Sequence, residues 1–439
     1  MKGESDALLA LSPMAHWRAL LSQSPAFWGL CFYFMIEYVR PQSIWPAIDV
    51  LPWGQASLLF TFGAALLVER PRKRPVTPLD IGVTAFTAVV LASLVTSQYP
   101  SWGMEGMSVF INWLLVYYLT VRLVNTPKRF LIFFLLFLLW SLKMSQHGTR
   151  SLIARGFTFQ DWGATGGPGW FHNSGEFAIQ MCVFLPMSLH FILGMKHRWP
   201  RWKTLGLTAL LAGTAVIALI SSSSRGGQLG GAAVLLFMVL FQSKYRWKKL
   251  FWVALVLPIG WILTPPEQQA RFMEMGEDHT SQTRFTYWTD GLEIMSQYPI
   301  LGIGYESWGP YYTRNYNPDG QLPHNIFIEA GAELGYLGLG AFLVLIALTF
   351  TMNARTRRLA TTCPEWGAFL RSTAYGLDAA LVGYLVSGFF VTVLFYPYFW
   401  VNLSFTAALY LVTRQQAVKT RRGRWPLRPP MVQTVSQRR

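Results

Sequence analysis

Three residues combine a chemically useful type with a useful position: Arg225, Arg284 and His324. Arg225 follows four serines and opens a predicted helix through two glycines, and His324 opens another predicted helix after a proline. Helix N-termini carry free N–H groups and a partial positive charge, which favour an anion. Two such ends together with two arginines predict an anion site, and a pyrophosphate fits that description well.

The histidine predicts a second chemical role at the same place. A helix N-terminus disfavours a protonated imidazole, so we expect His324 to be neutral near pH 7 and able to accept a proton. Ordinary explanations also exist. Arg225 could reach the membrane interface or pair with an acid, and Arg284 could stack on Trp288 one turn later. His324 could be an interfacial histidine, but the position of all three on one face favours the functional interpretation.

Other polar groups are weaker candidates. Glu329 and Glu333 lie inside a predicted membrane span, where acids are either functional or hydrogen-bond partners. His172 is a competing histidine on the same side. The segment 274–279 could hold a metal, but nothing fixes its ligand geometry, so a solvated charge cluster is the better interpretation. We predict no metal site and no cofactor.

The elements that must position these residues are membrane helices. The chain has 439 residues, of which 52% are hydrophobic and only 13% charged, whereas a soluble domain carries about 25% charged residues. Apolar runs recur along the whole chain, separated by short loops. We therefore predict an all-α polytopic membrane protein with about twelve transmembrane helices, near residues 26–40, 50–68, 79–97, 104–121, 130–142, 174–195, 204–220, 227–242, 250–264, 324–350, 372–395 and 398–413.

The net charge of +16 follows this topology. With a cytoplasmic N-terminus, 29 of the 37 lysines and arginines fall in inner segments, which is the positive-inside pattern. The charge is thus explained without a nucleic-acid partner. We predict an inner-membrane protein with spans 1–9 in residues 1–264, a periplasmic loop at 265–323 and spans 10–12 in 324–413. The basic cytoplasmic tail 414–439 is expected to touch anionic membrane lipids.

Polar complexity is concentrated on the outer side. A Gly-rich loop covers about 143–173, and the longer loop between spans 9 and 10 contains a predicted amphipathic helix over 284–296, capped by Ser281 or Thr283. Arg225, Arg284 and His324 all belong to this side, so we expect the active site to face the periplasm.

Several of these segments resemble the O-antigen ligase and polymerase superfamily. They are Ser224–Gly227, Arg284–Trp288, Tyr298–Gly304 and His324–Asn325, and the resemblance is sharp over about 221–340. The N-terminal segment Glu37–Gln42 is similar to that of a branch of O-glycosylation ligases.

The resemblance implies a membrane glycosyltransferase of the GT-C-like class. Such an enzyme would move a glycan from undecaprenyl pyrophosphate to the lipid A core of lipopolysaccharide at the periplasmic face. Arg225 and Arg284 would hold the pyrophosphate, and His324 would act as general base in an inverting, metal-independent reaction. Together with the two arginines, we expect four residues in or near these segments to bind substrate, namely Asn173, Tyr305, Trp308 and Asn325.

Three alternatives stay open from the sequence. An O-antigen polymerase or a protein O-oligosaccharyltransferase of the same superfamily would use the same donor with another acceptor. A transporter for the lipid-linked glycan would also want outer arginines, but it would be expected to carry polar groups through the membrane. The spans here are largely apolar.

Overall fold

A computed structural model describes residues 2–69, 74–158, 163–242, 266–274 and 276–424, with a few isolated positions between 245 and 254. Throughout these residues the regular structure is helical, with no strand. The all-α fold predicted from the apolar runs is therefore confirmed for the described part of the chain. In chain order the helices are α1 (Lys2–Leu9), α2 (Pro13–Leu21), α3 (Pro25–Val39), α4 (Pro41–Ile44), α5 (Trp53–Leu67), α6 (Pro78–Val95), α7 (Pro100–Leu123), α8 (Pro127–Ala154), α9 (Ser174–Met195), α10 (Arg201–Leu207), α11 (Thr214–Ser221), α12 (Arg225–Gln242), α13 (Pro266–Met273), α14 (His279–Gln297), α15 (Trp308–Asn315), α16 (Ile326–Ala360), α17 (Gly367–Gly388) and α18 (Pro397–Arg424).

Seven segments of the described chain are long and apolar enough to cross a membrane, or eight if the bent pair α2–α3 counts as one span. A π-helical turn at Thr208–Gly213 joins α10 and α11 into one of them. The predicted ninth span, 250–264, lies mostly outside the described residues. A membrane protein is therefore supported, while the count of twelve spans stays a prediction.

The centre of the molecule is α9, which packs against α17 and α12. Its side chains are almost all buried, and glycines bring the partner helices close. A side chain on Gly383 would press against Cys182 and Val234, and one on Gly230 would overlap Ser387. Small residues at these positions allow the close backbone approach that stabilises helix packing in membranes. This packing fixes the first turn of α12 beside the end of α17.

Helix α16 is broken near its start. Gly335 leaves the helical conformation, with φ 67° and ψ −173°, and the loop Tyr298–Gly304 fills the break. Two N–H groups of this loop donate to the carbonyls of Ala332 and Glu333 at 2.9 and 3.1 Å, and the Tyr336 N–H donates back to the loop at 2.8 Å. The first nine residues of α16, Ile326–Leu334, therefore form a short helical segment that is hydrogen-bonded to this loop and separated from the rest of α16 by the break.

Candidate active site

The first predicted arginine sits at the start of α12, after a turn of buried serines. The side chain of Ser224 accepts from the N–H of Gly227 at 3.2 Å, which caps the new helix. Both terminal nitrogens of Arg225 donate to the carboxylate of Asp278, at 2.9 and 3.0 Å. The two side chains are only 15% and 20% exposed. This arrangement is a bidentate, charge-assisted pair, and hydrogen bonds from Arg225 hold the pKa of Asp278 well below its ordinary value.

Asp278 also begins helix α14, which corrects the expected start of the amphipathic helix. The helix starts at His279 rather than near Arg284, and its cap is Asp278 instead of Ser281 or Thr283. The Asp278 carboxylate accepts from the N–H and the hydroxyl of Ser281, at 3.2 and 2.7 Å. One carboxylate therefore fixes the start of α14 and the guanidinium of α12 together. Sequence reasoning missed it because Asp278 stands in a charge-rich run.

The second arginine, Arg284, lies within electrostatic range of the first. Its pKa is lowered by burial and then by the charge of Arg225, while Asp278 opposes the shift. The Nε atom of Arg284 is buried without a hydrogen-bond partner. In the described part of the chain no cation–π contact joins Arg284 to Trp288, so the predicted stacking does not explain its position. An unpaired buried donor of this kind is suited to an incoming anion.

His324 lies in the turn before α16, within range of Arg284. Its backbone is left-handed, with φ 49°, and its N–H donates to the hydroxyl of Thr392 at 2.8 Å. Burial, and then the charge of Arg284, lower the pKa of His324 to about 4. The imidazole is thus neutral at pH 7, as the sequence predicts, but desolvation rather than the helix end is the main cause. Nε2 lies 3.4 Å from Oε1 of Gln321.

Trp288 connects the elements that carry these residues. Its indole N–H donates to the carbonyl of Pro323 at 3.0 Å, and its ring packs edge-on against Phe389, with centroids 5.0 Å apart. The segment between α17 and α18 thereby supports both α14 and the histidine turn, since Thr392 belongs to it as well. Three separate segments of the chain converge on α14 at this point.

The remaining predicted substrate residues have internal partners. Asn325 caps α16 by accepting from the N–H groups of Phe327 and Ile328, and it is 2% exposed. Asn173 caps α9 in the same manner and is exposed, so its side chain is accessible. Substrate contact by Asn173 stays a prediction.

The two predicted aromatic residues are buried. Tyr305 donates its hydroxyl to the carbonyl of Gly106 at 3.0 Å, and the indole of Trp308 donates to the carbonyl of Gln321 at 3.0 Å. They are 0% and 1% exposed. Trp308 therefore reaches the site indirectly, because Gln321 touches His324. Substrate contact by either ring stays a prediction that this burial does not favour.

The acids of α16 accept hydrogen bonds from backbone N–H groups. Both lie before the break at Gly335. Glu333 accepts from the N–H groups of Glu306 and Trp308, at 3.2 and 3.0 Å, and Glu329 accepts from the N–H of Leu394 at 3.3 Å. These contacts account for both residues as structural partners.

The remaining candidates from the sequence are His172 and a metal site in the segment 274–279. His172 bonds the carbonyl of Gly169 and faces Glu176. No group of three or more potential metal ligands occurs within the described residues, and in the run 274–279 the Asp278 carboxylate is already engaged by Arg225 and Ser281. The convergent groups are therefore two guanidinium groups, one carboxylate between helices and one neutral imidazole.

Comparison with known proteins adds one family match. Residues 207–343 match the O-antigen ligase family model, and this range contains Arg225, Arg284 and His324. A solved structure described as "Structural coordination of polymerization and crosslinking by a peptidoglycan synthase complex" is similar to this chain at 19% identity and a TM-score of 0.44, covering 77% of this chain and 97% of that one. No curated protein matches. The predicted resemblance to the O-antigen ligase superfamily is therefore confirmed over residues 207–343.

Proposed function

We propose that the chain is an O-antigen ligase of the bacterial inner membrane. It transfers a glycan from undecaprenyl pyrophosphate to the lipid A core of lipopolysaccharide, at an active site that faces the periplasm. The observation that carries the proposal is the grouping of Arg284 with the Arg225–Asp278 pair on one side and neutral His324 on the other. Twelve spans and a GT-C-like arrangement belong to the same proposal.

The donor binds through its two phosphates. Guanidinium groups remain charged and pair with phosphate in a planar, bidentate manner. Arg284 offers a buried Nε without a partner, while the terminal nitrogens of Arg225 are held by Asp278. We expect Arg284 to take the first phosphate and Arg225 to exchange Asp278 for the second. These contacts stabilise the charge that grows on the leaving pyrophosphate, so no metal ion is needed.

His324 removes the proton from the acceptor hydroxyl. The acceptor oxygen attacks the anomeric carbon, the bond from that carbon to the phosphate oxygen breaks, and the lipid pyrophosphate departs with the electron pair. The proton passes to the imidazole, and the anomeric configuration inverts. If Nε2 donates to Gln321, the accepting lone pair lies on Nδ1.

Donor binding improves this base. Part of the lowered pKa of His324 comes from the charge of Arg284, and a bound phosphate offsets that charge. The pKa of His324 therefore rises when the donor is in place, although burial keeps it below the ordinary value. His324 is therefore a stronger base in the complex with the donor than in the free protein.

The acceptor distinguishes the proposed ligase from the other transferases of its superfamily. An O-antigen polymerase and a protein O-oligosaccharyltransferase would use the same arginines and histidine. A transporter of the lipid-linked glycan would need the arginines but has no use for a neutral imidazole beside them. The histidine therefore favours a transferase over a transporter.

The test is a transfer assay with purified protein, lipid-linked glycan and lipid A core. His324→Ala should keep donor binding and lose transfer by about 10²–10⁴-fold, the usual worth of a general base. His279→Ala is the matched control, because this exposed histidine lies nearby at the start of α14. Activity should survive EDTA. Full activity of His324→Ala, or loss in EDTA with rescue by metal, would overturn the mechanism.

A further inference from the structure

Helix α8 carries a row of basic side chains beyond the apolar part that is predicted to cross the membrane. Lys143, His147 and Arg150 follow one another at spacings of four and three residues, so they share one face of the helix. At 1.5 Å per residue the row is about 10 Å long. Lys143 is half-buried and donates to the carbonyl of Val39 at 3.0 Å, whereas His147 and Arg150 are exposed.

No carboxylate balances this row within the described residues. The salt bridges found there involve other cations, such as Lys128 with Glu4. The charge of Arg150 acts on Lys143, and the charges of Lys143 and Arg150 act on His147. The two permanent cations, Lys143 and Arg150, are about 10 Å apart along this face, which is about one Debye length, so their charges repel. A bound anion would remove that repulsion.

The exposed face of α8 changes character along its length. Leu139, one turn before Lys143, is 47% exposed and apolar, and the basic row follows directly. From the membrane interior to the interface, a membrane lipid changes in the same way, from apolar acyl chains to a headgroup that carries phosphate. The face is therefore complementary to a lipid in both polarity and charge.

The row lies on the same side of the molecule as the candidate active site. Arg155, just after α8, donates to the carbonyl and hydroxyl of Ser221 at 3.1 and 2.7 Å. Ser221 ends α11, four residues before Arg225. The row is thus linked through one residue to the turn that presents the donor-binding arginine, but it shares no side chain with that site.

We propose that Lys143, His147 and Arg150 bind the phosphate groups of the acceptor glycolipid. The proposal rests on the proposed function. The donor phosphates already have Arg225 and Arg284, so a separate row suits the second substrate. Several basic groups within two turns suit phosphomonoesters, which carry more negative charge than the single charge of an ordinary phospholipid diester.

The experiment measures lipid binding without transfer. The full chain in phosphatidylcholine nanodiscs is titrated with diphosphoryl lipid A, and binding is followed by native mass spectrometry. A basic residue near a lipid surface contributes about fivefold in affinity, so K143Q/H147Q/R150Q should bind at least about 25-fold more weakly. Binding of the lipid-linked donor should be unchanged. Arg314→Gln is the matched control, because Arg314 is exposed and lies in another helix, α15.

Three results would overturn the assignment. The triple variant could bind lipid A as tightly as the unaltered chain. Arg314→Gln could weaken binding as much, which would indicate a general charge effect. Phosphatidylglycerol could bind the row as tightly as lipid A, which would make it a surface for ordinary anionic lipid. Because no glycan is transferred, these outcomes are independent of His324→Ala, whose failure would reject the transferase alone.

Discussion

The pair between Arg225 and Asp278 gives the sharpest test of how the donor enters. Asp278→Asn removes the charge but keeps a good helix cap, since asparagine and aspartate cap helices about equally well. The substitution therefore separates the pairing of Arg225 from the start of α14. In the unaltered protein, both terminal nitrogens of Arg225 are occupied by the carboxylate at 2.9 and 3.0 Å.

The size of the effect follows from this geometry. Hydrogen bonds to charged groups contribute about 1.5–3 kcal/mol net, and the partial exposure of both side chains, 15% and 20%, favours the lower end. A donor phosphate that replaces Asp278 must overcome about 1.5 kcal/mol, which is about tenfold in affinity. We therefore expect Asp278→Asn to bind the donor about tenfold more tightly while its thermal stability falls.

The assay is donor binding to purified protein in nanodiscs, paired with thermal unfolding. Asp278→Ala is the comparison variant, because it loses the cap as well and should be less stable than Asp278→Asn by about 1 kcal/mol. If folded Asp278→Asn binds the donor more weakly, the carboxylate orients Arg225 for phosphate instead of competing with it, and the exchange of partners is wrong.

The remaining predictions concern the base, the second arginine, the supporting indole and pH. Because the pKa of His324 is about 4 in the free protein and rises when the donor binds, the acid limb of kcat should lie at higher pH than that of kcat/KM; coincident limbs would contradict the coupling. Arg284→Lys should recover only part of the activity lost in Arg284→Ala, measured as kcat/KM, since lysine keeps the charge but not the planar fork. Trp288→Phe should keep the ring contact with Phe389 but lose the hydrogen bond to Pro323, lowering kcat more than donor affinity; an equal loss of both would place Trp288 in donor binding. The pKa of Asp278 is lowered in the folded protein, so the Arg225–Asp278 pair stabilises the fold above the ordinary aspartate pKa and loses this effect as the pH falls below it. The free energy of unfolding of Asp278→Asn should lack this dependence on acid pH.

The parts of the site that sequence reasoning predicted are those visible in residue type. Arginines where arginine is scarce, and a histidine after a proline, need no knowledge of contacts to be noticed. Asp278 escaped because its partner lies 53 residues away, and nothing in its local run distinguishes it from the neighbouring acids. The segment from Phe389 to Thr392 was missed for another reason: the apolar pattern places it inside the predicted span 372–395, whereas α17 ends at Gly388.

The start of α16 was harder still. Apart from Glu329 and Glu333, the residues from Ile326 through Gly335 and beyond are apolar or small, so the pattern predicts one helix. The break depends on hydrogen bonds with the loop Tyr298–Gly304, which are tertiary contacts. A side chain at Gly335 would also overlap the carbonyl of Ile300, but a glycine alone does not identify its neighbour.

This break has a mechanical consequence for an enzyme that works beside a bilayer. Most of the predicted span lies after the break, because the 15 residues from Tyr336 to Phe350 extend about 22 Å at 1.5 Å per residue, against about 30 Å for the hydrocarbon core. When bilayer thickness changes, a continuous helix would tilt and carry its end with it. Here the short helical segment Ile326–Leu334, which follows His324, is instead hydrogen-bonded to the outer loop Tyr298–Gly304. We therefore expect the distance of the His324 imidazole from the membrane surface to depend little on lipid composition. Growth conditions that change bilayer thickness should then leave His324 correctly placed relative to Arg225 and Arg284.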